Sequence, residues 1–133
     1  DVEQATDYIS TVAASFGLRT RDEWRSITET VLRKDSDAWV LHYDPRIALP
    51  FKAMTPEAVA AAEAAMWALY DQIKCPTLLT RGVQSDLLTL ETATAMTQRG
   101  PKARLVQFEG VGHAPMFMHD DQINPVVQFL LEE

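Results

Sequence analysis

The sequence has a single cysteine, Cys75, so no internal disulfide can form. That fits a reducing compartment, and a cytoplasmic location is expected. Basic residues are scarce: 12 Lys and Arg stand against 19 Asp and Glu, for a net charge of -7. Nucleic-acid binders carry a basic excess, so that class is set aside. Nor is there a Lys/Arg cluster to hold an anionic membrane surface. No stretch approaches the ~18 apolar residues of a membrane span, and no charged-then-apolar leader opens the chain. The chain begins with Asp1 rather than Met, which reads as a piece of something longer. Internal repeats are absent. What remains is 133 residues, 47% hydrophobic and 23% charged, one domain's worth of globular chain.

The first apolar set, Val2, Ala5, Ile9, Val12, Ala13 and Phe16, has the spacing of one helix face, with Gly17 where a C-terminal cap would sit. Thr20-Arg21-Asp22-Glu23 is a capping-box pattern, in which hydroxyl and carboxylate each satisfy a free backbone N–H. Trp24, Ile27, Thr28, Val31 and Leu32 continue on a helical period, and Lys34–Asp37 is expected to close that helix as a polar loop. Trp39–Phe51, interrupted by Pro45 and Pro50, reads as irregular. Thr55-Pro56-Glu57 starts an alanine-rich helix reaching Tyr70. Thr77–Arg81 is a strand, Thr89 caps a helix ending at Gly100-Pro101, and Arg104–Phe108 is a second strand. The last helix carries a stripe of Ile123, Val126, Val127, Leu130 and Leu131. Pro125 places its start near Asp121 or Asn124.

Strand, helix, strand from Thr77 to Phe108 gives a crossover that makes the two strands parallel. The order predicts an all-helical N-terminal half and an α/β C-terminal half. Parallel neighbours share a carboxyl edge, where ligands bind in open α/β sheets. Asp86 follows the first strand and His113, in Gly110-Val111-Gly112-His113, follows the second. With strands about 5 Å apart the loops emerge together. The Asp carboxylate can then accept from the imidazole, fixing its tautomer and leaving the other nitrogen as a general base.

Ile73–Gly82, Ser85-Asp86 and Gly110-Val111-Gly112-His113-Ala114-Pro115 together resemble the C-terminal portion of an α/β-hydrolase. The resemblance covers Ile73–Leu131 closely; upstream, Tyr43-Asp44-Pro45 and the helices before it look like a cap-to-core region. It implies residues 1–72 as a helical cap-like segment and residues 73–133 as the C-terminal part of the core. Two parallel strands, a βαβ crossover and a terminal helix make up that core. Asp86 and His113 match the family's acid and histidine. The family's Gly-x-Ser-x-Gly elbow has no counterpart here. None of Ser10, Ser15, Ser26, Ser36 and Ser85 has the setting, and Ala13-Ala14-Ser15-Phe16-Gly17 echoes it only within a helical pattern. The oxyanion-hole loop is missing too. The resemblance thus implies an ester- or C–C-cleaving hydrolase whose nucleophile half lies elsewhere, leaving this chain inactive alone. A non-catalytic binding or interaction domain of the same fold is the alternative, and acyltransferase or cofactor-free haloperoxidase chemistry shares the same machinery. No cofactor is implied, and the substrate is a small molecule.

Met116 and Phe117, soon after His113, are candidates either to line an apolar substrate pocket or to pack the last helix onto the sheet. His119-Asp120-Asp121 matches no metal-ligand spacing and reads as a turn. Cys75, before a proline at a strand entrance, is expected to be buried and inert. One edge of a two-stranded pair would lack a partner, so a homodimer or higher oligomer is expected.

Overall fold

The computed structural model describes residues 1–132, which divide into two compact units. The first comprises residues 1–14 and 18–63, the second residues 15–17 and the described residues from 64 on. Among the described residues no helix is long and apolar enough to cross a membrane.

In the first unit, helix α1 (Val2–Val12) packs against helix α2 (Arg21–Val31). Both begin on the reciprocal bonds of a capping box: Asp1 with Gln4, and Thr20 with Glu23. Ile9 and Leu32 are buried, as are Thr6 and Thr28. The two threonines return their hydroxyls to their own helices, to the carbonyls of Val2 (2.8 Å) and Trp24 (2.7 Å), so neither buries an unsatisfied group. On the exposed side Arg21 pairs with Glu3 and Asp7, and Arg25 with Glu3 and Glu29.

The polar segment after α2 is not a loop. Leu32–Asp35 (β1) and Ala38–Leu41 (β2) form an antiparallel hairpin, with Leu32 opposite Leu41. This corrects the expectation of an all-helical N-terminal half. Ser36 carries the turn at φ 54, a left-handed conformation without the Gly or Asn that normally announces it. Arg33-Lys34-Asp35 also lacks the alternation of a half-buried strand, because all three are exposed. A 3-10 turn (Pro45–Ile47) and short helix α3 (Ala48–Lys52) follow, then α4 (Pro56–Tyr70), where the Thr55 hydroxyl accepts from the Ala58 amide (3.3 Å).

The second unit holds the parallel pair. Strand β3 (Leu78–Gly82) and strand β4 (Arg104–Phe108) are joined through helix α5 (Leu90–Gln98), with Leu78 opposite Arg104 and Gly82 opposite Phe108. Thr89 caps α5 through the Thr92 amide, as its position predicts. Ala93, Ala103, Phe108 and Val111 are buried here. The C-terminal end of α4 is fixed to the far end of α5. The Tyr70 hydroxyl donates to the Met96 carbonyl (2.7 Å), and Arg99 lies over the Trp67 ring at 4.4 Å while gripping Asp71 with two nitrogens.

Helix α6 (Asp120–Leu131) starts one residue before Asp121, the earlier of the two starts that Pro125 leaves open. Proline within the second turn forfeits one amide bond, but the turn before it is already closed by Gln122 and Ile123 donating to the His119 carbonyl, both at 2.9 Å. Cys75 is exposed rather than buried: it lies in a bend of the loop before β3, not in the sheet.

Candidate active site

Both strands of the pair point their carboxyl ends to one edge, and the pairing continues past the strands. The Val83 amide donates to the Phe108 carbonyl, and the Gln84 amide to the Val111 carbonyl, each at 2.9 Å. The loop bearing Asp86 and the loop bearing His113 are therefore stitched together at their roots. Gly82 makes this approach possible: a Cβ there would fall on the carbonyl groups of Val111 and Gly112. From another side, the carbonyl of Ser15 accepts from the Gly112 amide. Gly17, at φ +76, sits so close to Val111 that an added Cβ would lie 2.7 Å from its side chain. Residues 15–17 thus grip the histidine loop as part of the second unit. In sequence that tripeptide reads as a helix end with its cap; in the structure α1 stops at Val12 and a 3-10 turn (Ala14–Phe16) leads into Gly17.

Asp86 and His113 stand at this shared rim, and both are exposed. No hydrogen bond joins the two side chains among the described residues, so the expected carboxylate–imidazole bond is not made in this state. Catalytic bonds are often loose before substrate binds and tighten with it. Met116 is half-buried. Phe117, at φ 52, is partly exposed and meets Phe108 edge-on, with ring centroids 6.2 Å apart. Its amide donates to the side chain of the buried Gln122 (2.8 Å), which fixes the segment between His113 and α6. Among the described residues no three His, Cys, Asp or Glu side chains gather as a metal-binding group.

Arg81, Ser85 and Gln107, to which the sequence analysis gave no positioning role, organise the acid loop. Arg81 is 6% exposed and Ser85 8%. The Arg81 guanidinium donates through Nε to the Leu88 carbonyl (2.7 Å), through Nη1 to Oε1 of Gln107 on β4 (3.0 Å), and through Nη2 to the Ser85 carbonyl (3.3 Å). Ser85 Oγ in turn accepts from the Leu88 amide (3.1 Å). An arginine near the end of a strand gives no sequence signal of its burial, because Arg is seldom buried and only the fold supplies its partners.

No family model matches the chain. It is 44% identical, over 131 residues, to the 3-hydroxybutyrate-oligomer hydrolase of Cupriavidus necator; the match covers 96% of this chain and 45% of that protein. An α/β hydrolase of known structure from Novosphingobium aromaticivorans superposes with TM-score 0.77 at 26% identity, over 98% of this chain and 45% of the other. A protein from Rickettsia typhi, provisionally a hydrolase, gives TM-score 0.80 at 23% identity, over 100% of this chain and 43% of the other. The chain therefore spans less than half the length of the relatives it matches. Its fold is that of part of an α/β-hydrolase, the C-terminal portion that the acid and histidine motifs resemble.

Proposed function

We propose that this chain is the acid- and base-bearing part of an α/β-hydrolase that cleaves esters, with 3-hydroxybutyrate oligomers as the substrate class. The parallel pairing of β3 and β4 carries the reading: it brings the Asp86 and His113 loops to one edge and ties them through Gln84 and Val111. The identity to a 3-hydroxybutyrate-oligomer hydrolase supports the substrate class. In this mechanism Asp86 holds His113 in one tautomer and stabilises its imidazolium form. The free imidazole nitrogen removes the proton from a nucleophile supplied by the remainder of the fold, then returns it to the leaving alcohol. None of the chain's own serines stands on a strand-to-helix elbow, so the chain alone supplies a base with nothing to activate. The small-molecule substrate, the single cysteine and the acidic charge are consistent with a cytoplasmic enzyme, and exposed apolar residues favour a homodimer.

The test is a chimera in which this chain replaces the matching part of the Cupriavidus hydrolase. The chimera is expected to hydrolyse 3-hydroxybutyrate dimers, and His113→Ala or Asp86→Asn to lower kcat by roughly 10⁴. The unfused chain is expected to show no turnover. A folded chimera whose rate survives His113→Ala would overturn the proposed role, and one without turnover would favour a non-catalytic domain.

A further inference from the structure

We propose that Arg81 is a positioning residue for Asp86, holding the acid at the rim where it meets His113. This rests on the reading of Asp86 and His113 as acid and base. The guanidinium contacts bracket the acid: one carbonyl before it, at Ser85, and one after it, at Leu88. The third contact, to Gln107, ties that bracket to the neighbouring strand whose loop carries His113. The Ser85 hydroxyl closes the turn against the Leu88 amide. Only Asp86 and Leu87 project from this framework into solvent, Leu87 at 73% exposure.

Burying a guanidinium is costly, and all three Arg81 acceptors are neutral, so the position is not explained by an ion pair. What the site uses is the planar fork, which reaches acceptors in three directions at once. A lysine at the same place is a flexible point charge without that geometry. The turn that presents Asp86 is thereby fixed to β4 by a side chain, in addition to the main-chain bonds that tie the two loops at their roots.

Turnover of 3-hydroxybutyrate dimers by the chimera tests this, with kcat and KM read separately. Asp86→Asn is expected to lower kcat, and Arg81→Met to lower it by about tenfold or more with KM little changed. Arg81→Lys is expected to restore little of that loss, and Ser85→Ala to lower kcat in the same direction. If Asp86→Asn leaves kcat unchanged, the acid–base reading itself fails. If Asp86→Asn lowers kcat while Arg81→Met and Ser85→Ala both turn over as wild type, the positioning role alone is refuted. Should Arg81→Met fail to fold, Ser85→Ala decides the matter.

Discussion

Gly82 shows how narrow the tolerances are at the scale of a single residue. The missing Cβ leaves room for the carbonyls of Val111 and Gly112, which are main-chain atoms and cannot swing aside as a side chain would. Gly82→Ala is expected to destabilise the chain by about 1–3 kcal/mol through overpacking. Urea denaturation measures this directly, and an unchanged midpoint would mean that the histidine loop does not abut the strand. The placement of Asp86 and His113 at one sheet edge was legible in the sequence because each follows a recognisable strand in a parallel pair. Arg81 was not, because a buried arginine and a solvated one are written with the same letter. Only the fold shows that its three acceptors lie within reach. Cys75 was misread for the related reason that position before a strand does not determine exposure.

Among the elements, those with caps were the readable ones. Thr20, Thr55 and Thr89 each supply the oxygen their helix needs, and their helices start where the sequence places them. The hairpin of β1 and β2 was hidden because its strands are largely solvated and its turn uses Ser36 against the usual preference. The joint between α4 and α5 was also unreadable, since Asp71 and Arg99 are far apart along the chain. Their pairing holds the Asp71 carboxyl below its ordinary value, chiefly through the side-chain bonds from Arg99. A depressed carboxyl stabilises the fold at pH values above that of the unfolded group, about 3.9, and the contribution is lost as pH falls through the folded value. Thermal denaturation of Arg99→Met should therefore differ from wild type at pH 7 and converge with it at strongly acidic pH. A gap that stays constant down to acid would show that Arg99 acts through its contact with Trp67 and not through the carboxylate. Salt screens a partly exposed pair of this kind, so the gap should also narrow at high ionic strength.

For the molecule as a whole, apolar surface remains uncovered in quantity. Phe51, Leu87, Leu130 and Leu131 are each more than 70% exposed, and the α6 stripe that the sequence marks as a buried face ends in solvent. Among the described residues the parallel sheet has two strands, each bonded along one side only. Light scattering coupled to size exclusion should give at least twice the mass of one chain, and a monomer that persists across a tenfold concentration range would refute association. Fold class could be read from the order of elements because a strand–helix–strand crossover admits essentially one handed arrangement. Unit boundaries were harder to read, as residues 15–17 group with the stretch that starts at residue 64. That interleaving has a practical corollary for anyone subcloning the unit that bears the histidine: no single cut along the gene isolates it intact. A shortened clone needs the Ser15-Phe16-Gly17 tripeptide returned, either as an added peptide or through a permuted connection.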